Sequence, residues 1–204
     1  MKGFANRLVK DRIGLLGAIG IILVVIISIF APIIAPFPPD KMFTKHILES
    51  PNSTYFFGTD EFGRDIFSRI LYGAQVSVKV SVIAVGIGAS LGLIFGLLSG
   101  YFQGKVDNII MRIMDVLFAF PDILLALAIV AVLGANITNT MIAIGIVFTP
   151  VFTRTVRAAT ISVKENEYIQ GAVAIGVKPF QIIIRHVIPN ILAPFIVQVT
   201  LALS

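Results

Sequence analysis

Hydrophobic residues in this chain come in long runs rather than in alternation. No charged residue occurs between Arg12 and Asp40. The run from about Ile13 to Ile34, at about 1.5 Å per helical residue, is long enough to cross a bilayer's hydrocarbon core of roughly 30 Å. Pro36, Pro38 and Pro39 stop it. Comparable runs predict a second span from about Val76 to Ser99, a third from about Ile109 to Leu133, a fourth from about Ile137 to Thr153, and a fifth that begins after Asn190. Lys79 is near enough to the end of the second span to reach the interface. Gly134-Ala135-Asn136 is the turn between the third and fourth. The mixed segment after the first span, with Pro51, Asn52, Ser53 and a charged run from Asp60 to Arg69, reads as an extramembrane loop and not as a separate domain. The fold class is all-α, a polytopic transmembrane helical bundle.

One polar segment breaks this pattern. Glu165 to Asn190 reads ENEYIQGAVAIGVKPFQIIIRHVIPN, and its turn residues predict two short helices broken at Gly176. Pro179 would open the second and Pro189 would close it, because proline is accepted in a first helical turn and not in an interior. Periodicity alone describes an ordinary inter-span loop of amphipathic character. A basic helical hairpin held at a membrane surface is also suited to docking another protein.

Composition agrees with the runs: 57% of residues are hydrophobic and 13% charged, and the mean hydropathy is +0.96. The chain is therefore an integral membrane protein. Sixteen Lys and Arg against eleven Asp and Glu give a net charge of +5, which in so apolar a chain reads as a topology signal and not as nucleic-acid binding. Lys2, Arg7, Lys10 and Arg12 precede the first span. Lys105 and Arg112 flank the junction of the second and third, and Arg154, Arg157, Lys164, Lys178 and Arg185 flank or occupy the hairpin. All three groups fall on one side, the cytoplasmic one by the positive-inside rule. The loop after the first span sets Lys41, Lys45, Arg64 and Arg69 against Asp40, Glu49, Asp60, Glu61 and Asp65, and should face outward. The basic N-terminus resembles a signal peptide, but the apolar run exceeds a typical signal core and lacks a clear small-residue cleavage site, so it reads as an uncleaved first span.

Within the spans, Gly88, Gly92, Gly96 and Gly100 place four positions without side chains along one helical face, where another backbone can approach. Asp122, next to the interrupting Pro121, stands at what should be middle depth. It is either a functional group that faces protein or water, or a partner for backbone groups loosened by the proline. Arg112 and Asp115, three apart, should pair.

Signs of catalysis are nearly absent. With no cysteine, thiol chemistry, disulfides and Cys-containing metal sites are excluded. In Gly100-Tyr101-Phe102-Gln103-Gly104-Lys105-Val106 the first glycine is one residue too close and no Ser or Thr follows the lysine, so it is not a phosphate-binding loop, and the chain itself should not bind ATP. His46 and His186 stand alone on opposite predicted sides, without ligand partners at metal-site spacing. The expectation is a protein that is not an enzyme and has no cofactor or metal.

The hairpin's wording carries a resemblance. Gln170-Gly171-Ala172, then Gly176, then His186, then Ile188-Pro189 resembles the cytoplasmic coupling loop of ABC importer permeases, whose pattern is Glu-Ala-Ala, three residues, Gly, nine residues, Ile, one residue, Leu-Pro. Both spacings agree, while the glutamate, first alanine, isoleucine and leucine are replaced. Phe57-Gly58-Thr59-Asp60-Glu61-Phe62-Gly63-Arg64-Asp65-Ile66-Phe67-Ser68-Arg69-Ile70-Leu71-Tyr72-Gly73-Ala74 resembles the segment before the second span in the C-type permease subunit of dipeptide and oligopeptide importers. Arg154, Arg157, Glu167-Tyr168-Ile169 and Arg185-His186 also fit that subfamily.

The resemblance implies an N-terminal region, residues 1–75, with the first span and external loop, and a permease transmembrane domain, 76–204. It implies a multi-pass protein of a prokaryote's cytoplasmic membrane, embedded in lipid, with a second homologous permease subunit, two cytoplasmic ATPase subunits and an extracytoplasmic substrate-binding protein as partners. Glu167, Tyr168, Gln170, Gly171, Ala172, Gly176, Arg185, His186, Ile188 and Pro189 would form the coupling loop to the ATPases, with Asp122 the candidate for the pathway. Peptides are the implied substrate, with nickel or glutathione as alternatives within the family. A secondary transporter should show more intramembrane charges, and an intramembrane enzyme should show a second group at depth. The fourteen residues from Ile191 to Ser204 reach about 21 Å, so the natural gene is expected to continue through the rest of the fifth span.

Overall fold

The computed structural model describes residues 12–203. Helices dominate: α1 is Arg12–Ile34, α2 Ile66–Phe102, α3 Gly104–Phe118, α4 Asp122–Leu133, α5 Ile137–Lys164, α6 Glu167–Ala174 and α7 Pro179–Ile182. A π-helical stretch, Ile183–Val187, then leads directly into α8, Ile188–Leu203. Two compact units divide within α2, one up to Lys79 and one from Val80. Four helical segments are long and apolar enough to cross a membrane, or five if α3 and α4 form one broken span. Lys2, Arg7 and Lys10, on which the expected orientation partly rests, lie outside the described residues.

In the first unit the loop between α1 and α2 is ordered by its own polar groups. Asp60 accepts from the backbone N–H of Phe62 and of Arg64, both at 2.9 Å, from Arg64 Nε at 2.8 Å and from Arg69 Nη1 at 2.5 Å. Desolvation pushes its carboxyl up, but these donors outweigh it and hold the pKa at about 2. Thr59 Oγ1 accepts from the Glu49 amide at 2.9 Å and donates to the His46 carbonyl at 2.5 Å. Gly58 and Gly63 have φ of 77° and 70°, and a Cβ would lie 2.4 Å from the Glu49 carbonyl oxygen and 2.3 Å from that of Phe43. Asp65 accepts from the Ser68 amide at 2.8 Å and so caps α2. From the long sequence match before the second span, Gly58, Thr59, Asp60, Gly63, Arg64, Asp65 and Arg69 thus supply the turns and bonds that shape this loop.

The second unit is organised around α2 and α5. A Cβ on Gly88, Gly92, Gly96 or Gly100 would lie 2.8, 2.2, 2.6 or 2.7 Å from the Cβ of Phe148, Phe152, Val156 or Thr160, so four successive turns of the two helices touch at backbone distance. Gly145 reciprocates, facing Ile87. The predicted packing role of the glycine row is what forms. Val85, Ala89 and Phe152 are buried in this seam, with Phe195 of α8 packed against them.

Four expectations need correction. Spans two and four are longer than their apolar windows, because α2 starts ten residues earlier, at Ile66, and α5 continues to Lys164; polar residues outside the hydrocarbon can prolong a helix whose backbone is already bonded. The third span is not one kinked helix, since α3 and α4 meet at 94° across Ala119–Pro121. Asp115 pairs not with Arg112 but with Arg154 of α5, at 2.8 Å, and Arg112 has no ion pair among the described residues. Pro189 does not close the hairpin: the fifth span starts at Pro179 and runs through it to Leu203. The Ile188 amide bonds to the Ile183 carbonyl, five residues back. That wider turn lets the helix meet a residue with no N–H, and the Asn190 side chain donates to the His186 carbonyl at 2.6 Å.

Candidate functional site

The segment from Glu165 to Asn190 is built as a bracket. Asn166 starts α6, and its Nδ2 donates to the Val163 carbonyl at 2.9 Å, tying the corner to the end of α5. Gln170 donates to the Glu165 carbonyl at 3.1 Å across the same corner. At the other end of α6 the Val177 amide bonds to the Ala172 carbonyl at 3.1 Å and the Gly176 amide to the Val173 carbonyl at 3.0 Å. This pair, with Gly176 at φ 79°, is a Schellman stop. The expected break at Gly176 therefore forms, for the expected reason. Pro179 occupies the first turn of α7, and Lys178 before it is extended, as a residue preceding proline should be.

What anchors the bracket is one apolar cluster. Ile169, Ile182, Val187 and Ile191 are fully buried with Leu97 and Tyr101 of α2 and Val156 of α5, and Ala172 and Val177 pack against them. Fully burying an aliphatic side chain contributes about 1.5–3 kcal/mol, so three such residues in the segment, with Ile191 just after it, fix its seat. Its outer edge is of the opposite kind: Ile175 is 82% and Phe180 73% exposed, with Tyr168, Val173 and Ile184 also exposed. An apolar edge held by a buried base is unusual for a solvent-facing turn.

Of the predicted coupling residues, the structure brings three elements together at one point. The Tyr168 and His186 rings stand 6.1 Å apart, edge to face. Asn190 Nδ2 donates to the Tyr168 hydroxyl at 3.3 Å as well as to His186. Ile188 is half-buried, while Glu167, Gln170, Gly171, Arg185 and Pro189 are exposed. The side chains of Glu167 and Arg185 have no partner among the described residues. Ile182, Phe180 and Asn190 were not singled out from sequence, although the first lies on the segment's apolar face. Asn190, next to Pro189, had a signal in the readiness of an Asn side chain to bond a backbone carbonyl one turn back.

Asp122 lies elsewhere. It begins α4 at the 94° break, is exposed and has no side-chain partner among the described residues. It does not cap the loosened backbone, since no side chain caps the start of α4. A stronger charge site joins α3 to α5. Arg157 grips Asp107 with two bonds of 2.6 Å, and Ser99 of α2 also donates to that carboxylate. Sequence spacing could not reveal a pair fifty residues apart.

Residues 92–204 match the family of the binding-protein-dependent transport system inner membrane component, and residues 1–51 match the N-terminal transmembrane domain of oligopeptide transport permease C. Over 96% of its length the chain is 45% identical to the dipeptide transport system permease protein DppC of Alkalihalophilus pseudofirmus, covering 64% of that protein. Over 98% of its length it is 43% identical to the glutathione transport system permease protein GsiD of Escherichia coli, covering 67% of it. It thus spans about two thirds of the length of these curated relatives.

Proposed function

Because the chain belongs to the family of binding-protein-dependent transport system inner membrane components, we propose that it is the membrane-spanning permease subunit of an ATP-driven importer that carries di- or oligopeptides. Separate cytoplasmic ATPase subunits hydrolyse the nucleotide, a second homologous permease completes the passage, and an extracytoplasmic binding protein delivers the substrate. Residues 76–204 act as the permease domain. The observation that carries this reading is the bracket at 165–190, whose buried base of Ile169, Ile182 and Val187 supports an apolar edge at Ile175 and Phe180. Such an edge suits the surface of an ATPase, and a rigid base would pass its displacement to the spans. Glu167, Tyr168, Gln170, Gly171, Ala172, Gly176, Arg185, His186, Ile188 and Pro189 belong to that docking segment. Asp122 lies on the pathway. The N-terminus, the bracket and the Gly100 to Asn108 turn face the cytoplasm.

The relative named for glutathione favours a second reading, in which a γ-linked tripeptide is the cargo. Vesicles holding the complete transporter, supplied with the binding protein and labelled peptides, should take up dipeptides only with ATP on the ATPase side. Uptake of glutathione alone would select the second reading, and ATP-independent uptake would defeat both. Orientation is tested separately, since single cysteines can be introduced into a chain that has none. An impermeant thiol reagent should label Ser53→Cys in intact cells and not Ser162→Cys.

A further inference from the structure

We infer that α3 is a lever, and that Arg154 and Arg157 are positioning residues that make it follow α5. The inference rests on the coupling role proposed for the 165–190 bracket. At its start α3 is joined to α2 through Gln103 alone, and Gln103 and Gly104 both have left-handed φ, 53° and 56°. Its other end is the 94° break before Asp122. The rod is therefore continuous in direction with neither neighbour.

Close packing fixes it only in part, through the buried Met114. Between α3, α2 and α5 lies a wholly apolar notch of about 160 Å³, lined by Phe95, Met114, Leu117 and Ile146 among others. Charge supplies the rest. Asp107 and Asp115 are its two carboxylates, and both are held by α5. Arg157 grips the first bidentately, and Arg154 reaches the second at 2.8 Å with its guanidinium 4.4 Å from the Phe118 ring centre. The neighbouring residue on α5, Val156, is part of the buried cluster that seats Ile169, Ile182 and Val187. Lys164, at the end of α5, closes the same corner by donating to the Tyr101 carbonyl at 2.7 Å. One short stretch of α5 thus holds the bracket with an aliphatic side chain and α3 with two guanidinium groups. Displacement of the bracket would reach the broken span through it.

A planar fork fixes direction as well as distance, which a lysine ammonium cannot do. In the intact transporter with its ATPases and binding protein, uptake and ATP hydrolysis are measured per assembled complex. Arg157→Ala should lower uptake per ATP on the order of tenfold, since removing one partner leaves a half-buried charge unpaired. Arg157→Lys, which keeps the charge and is expected to assemble, should lower the ratio by a smaller factor, and Arg154→Lys by less again because that pair is exposed. An unchanged ratio in Arg157→Lys overturns the lever, as does an Arg157→Ala complex in which uptake and hydrolysis fall together. If Arg157→Ala does not assemble, the lysine variant decides. A parent complex without ATP-driven uptake would instead defeat the coupling reading, and it is measured first.

Discussion

Two of the helices packed on α5, α2 and α3, are attached to it by different physics. Against α2, contact is made through glycines at successive turns, and a single methyl group has no room in four places. Against α3, contact is made through two arginine–carboxylate pairs beside an apolar notch, with Met114 buried next to it. Dispersion between backbones falls away within an ångström of separation, so the α2–α5 pair either keeps its geometry or comes apart. Ion pairs at the edge of a helix can rotate and re-form over a larger range. The comparison assigns rigidity to the first seam and motion to the second, and it predicts that equal-sized substitutions on the two sides act on different observables.

The largest effect should come from Gly92. An alanine there would bring Cβ to 2.2 Å from the Phe152 Cβ, and forced overpacking of this kind costs about 1–3 kcal/mol or more. Gly92→Ala should sharply reduce the yield and thermal stability of the purified complex, with activity per surviving complex little changed. Gly86, on the same helix, has nothing within 4 Å, and Gly86→Ala should be neutral or stabilising by up to about 1 kcal/mol through helix propensity. Equal melting temperatures for the two variants would break the assignment of the glycine row to a tight seam.

Gly176 sharpens the contrast, because it too has nothing within 4 Å but sits at φ 79°. Space is free there, and the backbone is the constraint. Gly176→Val should cost on the order of 1–2 kcal/mol in left-handed strain and disturb the Schellman stop, leaving assembly mostly intact while uptake is lost and hydrolysis becomes uncoupled or lost. Gly176→Asn should retain much of the activity, since Asn visits this conformation readily. Parental uptake by the valine variant would show that the turn does not transmit motion. Gly171, which is helical with open space around it, should accept alanine without loss.

Why some of this was legible follows from the range of each interaction. The glycine row repeats with the helix, so its period is local, and the left-handed stop at Gly176 is a property of three or four residues. Pro189 misled because the rule against proline in a helix assumes α geometry, and the π-helical Ile183–Val187 relaxes it. Arg112 and Asp115 are neighbours on one helical face, but Arg154, thirty-nine residues away, offers the carboxylate a partner that also stacks on Phe118. No spacing rule reports such a competition. The ends of α2 and α5 were missed because hydropathy marks where lipid stops, not where backbone hydrogen bonding stops.

The smallest expected effect concerns the turn between α1 and α2, which has tight glycine turns like the glycine seam yet is held by polar bonds like α3. Asp60 is stabilised as a carboxylate by two backbone amides and two guanidinium groups, with its pKa lowered from 3.8 to about 2. A carboxyl whose folded pKa lies below its unfolded value adds stability that is complete above the unfolded pKa and is lost as pH falls through the folded one. The contribution of Asp60 to the turn should therefore be constant between pH 7 and about 4 and be lost from there towards about 2, a loss of about 1 kcal/mol once solvent screening is allowed for. Hydrogen-exchange protection of the Phe62 and Arg64 amides, which donate to Asp60, reports this after correction for intrinsic rates. In Asp60→Asn the same amides should be less protected at neutral pH and show no further loss across that window. Protection that stayed constant down to pH 2 in the parent would mean that the glycines and Thr59 alone hold the turn, and would place it with the glycine seam as a structure set by shape and not by charge.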